Sequence, residues 1–134
     1  MDERNSGAAV TGLVVGALVA LGFAILISLL PAWVVLDTRW RVVVYVVVAL
    51  AAPPTVWFLQ WVARMRRLDQ REVFIWGAAG AMTFDGLAIG FLPGLYGQTG
   101  QALAWVASAL IFAFASLIVA GQLMLGNVVP APQR

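Results

Sequence analysis

The stretch AAVTGLVVGALVALGFAILISLL, residues 8–30, decides the fold class of this protein. It has no charged side chain, and it exceeds the roughly 20 apolar residues that a helix needs to cross a bilayer. In water a chain of 134 residues would have no core large enough for so much apolar surface, because small domains bury the smallest fraction of their surface. We therefore predict a first transmembrane helix here.

Three further stretches have the same character, at residues 42–62, 73–92 and 102–125. Residues 42–62 are rich in valine, which favours strands in water, but in lipid a segment must satisfy its own backbone hydrogen bonds and forms a helix. The whole chain is 63% hydrophobic and 10% charged, against about 25% charged in soluble domains. We predict one domain, residues 1–134: an all-α membrane protein, a bundle of four antiparallel transmembrane helices with short loops and short cytoplasmic tails at 1–7 and 127–134.

The arginines predict the orientation, since the chain has no lysine. The loop between the second and third helices contains four of them: Arg64, Arg66, Arg67 and Arg71. A four-helix topology places both termini on the same side of the membrane as this loop. By the positive-inside rule we predict a multi-pass protein of the inner (plasma) membrane with the termini and this loop in the cytoplasm; the reversed orientation is the alternative. The four arginines are predicted to determine the topology and to bind anionic lipid, so the net charge of +2 needs no nucleic-acid partner.

The residue types limit the chemistry. There is no cysteine and no histidine, which removes thiolate nucleophiles, iron–sulfur clusters and imidazole ligands for metal or haem. The sequence also contains no phosphate-binding glycine loop, no nucleophile–base pair and no metal-ligand spacing. We expect neither an enzyme nor a cofactor or metal site.

Small residues recur at every fourth position in two of the predicted helices. This spacing lets helix backbones approach closely, which is how helices associate in lipid. The pattern predicts close packing, either inside the bundle or against a second protomer or a larger partner. The predicted packing face contains Gly12, Gly16, Ala20 and Ala24 in the first helix and Gly86 and Gly90 in the third.

Asp85 is the one acidic residue within a predicted span. Twelve residues beyond Val73, it would lie roughly 18 Å into the bilayer, near its middle. An ionised Asp there costs about 3 kcal/mol on insertion scales, so it is a candidate functional residue. The structural alternative is a hydrogen bond to the fourth helix, through Ser108 or Ser116.

Pro53 and Pro54 lie at a similar depth in the second helix. Each lacks an N–H, so the carbonyl oxygens of Ala49 and Leu50 lose their helical donors, and a break in the helix is expected. Thr55 follows directly and has a hydroxyl for one of these oxygens. The candidate buried site therefore comprises Asp85, Pro53, Pro54, Thr55, Ser108 and Ser116.

The most distinctive motifs are Thr83-Phe84-Asp85-Gly86-Leu87 and, a few residues later, Phe91-Leu92-Pro93-Gly94-Leu95-Tyr96-Gly97. This stretch resembles a family of small four-helix bacterial membrane proteins known as a domain of unknown function. Their third helix likewise places an Asp before a small residue and ends in an aromatic-rich Pro turn. The resemblance implies the four-helix fold and no activity.

Two functions fit these observations. The first is a small accessory or interaction subunit of a larger membrane complex, which the small-residue faces and the missing catalytic motifs favour. The alternative is a minimal transporter or proton-responsive, channel-like protein in which Asp85 titrates beside the proline break. Four helices make a thin wall for a pathway, so this alternative requires a homo-oligomer.

Overall fold

The computed structural model describes residues 3–126, with side chains from Ser6 onward, and this part of the chain consists of helices joined by short turns, without a strand. Four of its helices, all but the short α2, are long and apolar enough to cross a membrane, which confirms the all-α membrane fold. The predicted tail 127–134 lies outside the described residues. The elements are α1 (Glu3–Ser28), α2 (Ala32–Leu36), α3 (Thr38–Arg66), α4 (Gln70–Phe91), a 3₁₀ turn (Pro93–Tyr96) and α5 (Gly100–Leu125).

The helices extend further than the apolar stretches because polar residues cap them. The Asp37 side chain accepts a hydrogen bond of 2.8 Å from the backbone N–H of Arg39 and starts α3 four residues before the apolar run at 42. The Asp69 side chain caps the start of α4 and accepts a hydrogen bond of 2.9 Å from the backbone N–H of Glu72. Between them Arg67 takes a left-handed conformation, with φ of 54°, and closes α3. Most of the predicted loop at 31–41 is therefore helical.

The helices that lie two spans apart in sequence pack side by side and run parallel. Along α1 and α4, Gly12 contacts Trp76, Gly16 contacts Gly77, and Ser28 contacts Gly97 just beyond α4. Helices α3 and α5 pair in the same way, while α4 also contacts both of them and α1 barely touches α3. We call the end of the bundle that contains α2 and the 3₁₀ turn the α2 end, and the other, with the α3–α4 turn, the arginine end.

The α1–α4 contact is a backbone contact. A Cβ atom added at Gly16 would overlap the carbonyl oxygen of Gly77, and one added at Gly80 would overlap that of Leu13. Only glycine permits this approach. The rest of the core is mostly apolar. Its clusters lie around Val56, Leu59, Phe74 and Leu117, around Ala24, Val35, Ala88, Tyr96 and Val106, and, smallest, around Ala8, Ala63 and Val73.

Helix α3 is continuous through Pro53 and Pro54, so the prediction of a broken helix is wrong. Each proline removes one backbone hydrogen bond and leaves those on both sides in place. The Thr55 hydroxyl donates to the Ala51 carbonyl oxygen at 2.8 Å, four residues back, and not to either of the oxygens that the prolines deprive of a donor.

Candidate functional site

A buried carboxyl–phenol pair lies near the α2 end of the bundle. Asp85, on the inner face of α4, is 5% exposed, and Tyr96 is fully buried. The Tyr96 hydroxyl donates a hydrogen bond of 2.6 Å to Oδ1 of Asp85. Among the side chains described, 6–126, Tyr96 is the only donor to this carboxyl, so Oδ2 has no donor within that part of the chain.

The 3₁₀ turn brings the phenol back into the bundle. After α4 ends at Phe91 the chain turns through Pro93–Tyr96, and Gly97 takes a φ of 64°, in the left-handed region. A Cβ atom at Gly97 would lie 2.9 Å from the carbonyl oxygen of Ser28, so the turn rests directly on the backbone of α1. The turn thereby aims the Tyr96 ring at α4, six residues before the end of that helix.

A glutamine anchors the same turn. Gln98 is 2% exposed and donates from Nε2 to the Leu30 carbonyl oxygen at 2.7 Å. This bond uses an oxygen that the end of α1 leaves without a helical partner. The position of the turn against α1, and with it that of Tyr96, is therefore fixed at two adjacent residues, Gly97 and Gln98.

Tyr96 is suited to donate. Burial raises the pKa of the Tyr96 phenol above its ordinary value. The hydrogen bond to Asp85 and the negative charge of that carboxyl raise it further, by smaller amounts. The phenol therefore keeps its proton across the physiological pH range and remains a donor to the carboxyl.

Asp85 also lines a cavity between the helices, with a volume of about 560 Å³. Helices α1, α3 and α5 form its walls, Gly77, Ala81 and Asp85 of α4 its floor, and α2 closes one end. Because α1 barely touches α3, the cavity opens sideways between these two helices, toward the position of the lipid. Asp85 is the only titratable side chain on its surface, and Thr55 is the only side chain there that ends in a hydroxyl.

Aromatic residues stand at the α2 end of the cavity. Trp33 and Trp40 line it and contact each other edge to face, with ring centroids 5.8 Å apart. Beside them the Arg41 guanidinium lies 3.6 Å from the centre of the Trp105 ring, a cation–π contact between α3 and α5. This end thus combines apolar surface with groups that tolerate the membrane–water interface.

The structure brings together only part of the predicted site. Thr55 lines the same cavity as Asp85, but Ser108 accepts a hydrogen bond of 2.8 Å from Tyr45, and Ser116 donates to the Phe112 carbonyl oxygen in its own helix. The hydrogen bond suggested as the structural alternative, between Asp85 and one of these serines, is therefore replaced by that from Tyr96, which the sequence analysis did not include in the candidate site. The available signal was the Pro93-Gly94 turn between the two residues, which allows the chain to fold back.

The prolines face away from Asp85. Leu59 contacts Gly77, and counting along the two antiparallel helices from this contact brings Pro53 and Pro54 to within about one turn of the level of Asp85. Both prolines are exposed, however, and Pro53 lines a second cleft, between α3 and α5, together with Ser116. The carbonyl groups beside the prolines thus do not form a joint site with the carboxyl.

The predicted packing face divides in two. In α1 its four members, Gly12, Gly16, Ala20 and Ala24, are buried. In α4 the inward stripe instead contains Gly77, Gly80 and Ala81, while Gly86 and Gly90 are exposed and a Cβ atom at either would meet nothing within 4 Å. The two exposed glycines lie on a different face of α4 from the buried Asp85. They pack against no helix in residues 3–126.

The four arginines predicted as anchors, Arg64, Arg66, Arg67 and Arg71, are exposed around the α3–α4 turn. In the described part of the chain no three His, Cys, Asp or Glu side chains come together as metal ligands. Comparison with protein-family models, with curated proteins and with solved structures found no match. The resemblance carried by residues 83–97 accordingly stays a prediction.

Proposed function

We propose that this protein is a non-enzymatic accessory subunit of the plasma membrane that binds an apolar molecule from the bilayer in the cavity beneath the α1–α3 opening. The observation that supports it is the cavity itself. Its volume of about 560 Å³ falls within the range of roughly 300–1,000 Å³ typical of ligand sites. Its surface has the usual composition of such sites, mostly apolar with one or two polar groups.

The position of the opening supports a ligand that comes from lipid. Entry between α1 and α3 requires no passage through the arginine end, and the residues beside the opening, such as Phe23, Val43 and Val47, are apolar and exposed. A hydrocarbon chain that moves from the bilayer into this cavity has apolar surroundings at every stage. Once it is inside, the lining side chains gain dispersion contacts that they do not have around an empty space.

Filling the cavity tests this function. Ala113 of α5 lines the cavity, whereas Ala104 of the same helix is exposed and lines neither cavity nor cleft. Purified protein in nanodiscs of phosphatidylcholine is incubated with dodecanol, and bound dodecanol is counted by native mass spectrometry. We expect one dodecanol per chain, loss of at least about nine-tenths of it in Ala113→Phe, and full retention in Ala104→Phe. Equal binding by both variants, or none by the natural protein, would contradict the proposal.

The exposed glycine stripe of α4 is the proposed contact with the rest of a complex or with a second copy. A Cβ atom at Gly86 or Gly90 meets nothing within 4 Å in the described chain, so we expect a Leu there to leave the monomer intact and to block close approach by another helix. We expect Gly86→Leu/Gly90→Leu to lower the mass of the assembly released from native membranes in mild detergent, and Gly22→Leu, at another open glycine, to leave it unchanged. An assembly of unchanged mass in the double variant rejects this interface.

A proton-responsive transporter is the second candidate, favoured by the position of Asp85 on the cavity surface. Asp85→Asn keeps an oxygen that accepts from Tyr96 but removes the titrating group. If the protein moves protons or ions, purified protein in liposomes shows a pH-dependent flux that this variant abolishes while it still folds. A flux absent from the natural protein eliminates the transporter.

A further inference from the structure

The shape of the cavity restricts what it binds. On α1 its lining residues extend from Gly16 to Ile27, which corresponds to about 16 Å of helix. Its volume of about 560 Å³ is that of a site for one small molecule. The cavity is thus elongated along α1, a shape that suits an extended hydrocarbon chain.

The electrostatics of the cavity restrict the head group. Asp85 is the only titratable residue on its surface, and Tyr96 occupies Oδ1 only, so Oδ2 remains to accept a bond from a ligand. A charge in apolar surroundings is stable only when it is paired and hydrogen-bonded. The described arginines at the α2 end, Arg39 and Arg41, do not line the cavity, and Arg41 lies over Trp105. Any cation that pairs with this carboxyl inside the cavity therefore comes with a ligand and not from the described part of the chain.

We infer that the cavity binds a single-chain aliphatic amine, with its ammonium group on the Asp85 carboxylate and its chain along Ala81 and Gly77 toward Leu59. The inference rests on the proposed function and names the class of its ligand. The ammonium either arrives charged or accepts the proton of a neutral Asp85; in both cases one proton ends on nitrogen and the bound pair is carboxylate and ammonium. From Asp85 to Gly77 the floor of the cavity is about 12 Å long, room for the first part of the chain.

Three probes that share one chain and differ in the head test the inference: dodecylamine, dodecanol and dodecanoic acid, each at equal mole fraction in phosphatidylcholine nanodiscs. A hydrogen bond to a charged partner contributes roughly one factor of ten in affinity, so we expect native mass spectrometry to show at least about a tenfold preference for the amine over the acid. In Asp85→Asn the preference for the amine over the acid falls to about twofold or less.

Asp37→Asn is the matched control. It also removes one negative charge near the α2 end, but Asp37 is exposed and asparagine caps a helix as well as aspartate does. The amine preference is expected to survive in it. A preference that persists in Asp85→Asn, or that disappears in Asp37→Asn, reports surface charge and overturns the inference.

The outcomes separate the two proposals. Equal binding of all three probes by the natural protein rejects the amine and leaves the chain-binding function, whereas binding of none of them rejects both. Asp85→Glu guards against a variant that fails to fold, because it retains the carboxylate and is expected to keep the amine preference. If Asp85→Glu folds and shows no such preference, the inference is wrong.

Discussion

Gly16 of α1 and Gly77 of α4 meet backbone to backbone, so closely that a single Cβ atom on Gly16 would occupy the place of the Gly77 carbonyl oxygen. Two parallel helices are held together here without any large side chain between them. Helices in lipid gain nothing from the hydrophobic effect when they associate, and close backbone contact supplies dispersion and weak hydrogen bonds instead. The position of α1, and therefore the width of the cavity opening, depends on this contact.

Gly16→Leu is expected to separate α1 from α4. The clash is with backbone, which has no rotamer to adopt, so the loss of stability is expected to reach or exceed the upper end of the roughly 1–3 kcal/mol of an overpacked core. Thermal unfolding in detergent measures it. Gly22→Leu on the same helix is the control, since Gly22 has open space around it and leucine favours a helix. Equal unfolding temperatures for the two variants would show that the contact is not tight.

Tyr96→Phe removes the donor to Asp85 and keeps the ring. The buried carboxyl loses its hydrogen bond, which typically costs about 1–3 kcal/mol. Tyr45→Phe is the matched control, because its hydroxyl donates to Ser108 at a half-buried position between α3 and α5. We expect Tyr96→Phe to destabilise the protein more than Tyr45→Phe does, as measured by thermal unfolding. The reverse order contradicts a central role for the carboxyl–phenol pair.

The sequence predicted the fold because each span is long, apolar and almost free of charge, and such a stretch has few alternatives in lipid. It missed α2 and the first residues of α3 because Asp37 and Pro31 set those limits, and short capped helices give no hydropathy signal. It also left open which periodic stripe of α4 faces the core. Both Gly77-Ala81-Asp85 and Gly86-Gly90-Gly94 have four-residue spacing, and since lipid and core are equally apolar, hydropathy does not tell which one points inward.

Of the candidate site, the sequence identified Asp85 correctly as a buried acid but not its partner. The contact with Tyr96 depends on how the 3₁₀ turn lies against α1, a relation between three separate elements that no local pattern contains. The pairing of Asp85 with Pro53 failed for a related reason. Equal depth in two helices says nothing about the direction in which each residue faces.

The proposed orientation predicts which residues are accessible from each side. The natural chain has no cysteine, so a single introduced thiol reports one position without background. Arg67, in the α3–α4 turn, and Thr99, just before α5, are both exposed, at opposite ends of the bundle. We expect a membrane-impermeant maleimide added to intact cells to label Thr99→Cys and to label Arg67→Cys only after lysis. The opposite pattern would establish the reversed orientation.

Gly97→Ala tests whether the turn positions the phenol. Gly97 and Gly100 both have positive φ, 64° and 54°, so alanine at either incurs the same left-handed strain of about 1–2 kcal/mol. They differ in their surroundings: a Cβ at Gly97 would lie 2.9 Å from the Ser28 carbonyl oxygen, and one at Gly100 would meet nothing within 4 Å. The added methyl group pushes the turn off α1 and draws Tyr96 away from Asp85. We therefore expect Gly97→Ala to lose more stability than Gly100→Ala on thermal unfolding.

This difference in stability loss should shrink when Tyr96→Phe is already present, because the hydrogen bond that the shift breaks is then absent. A difference of the same size in both backgrounds would mean that the turn and the carboxyl–phenol pair act independently.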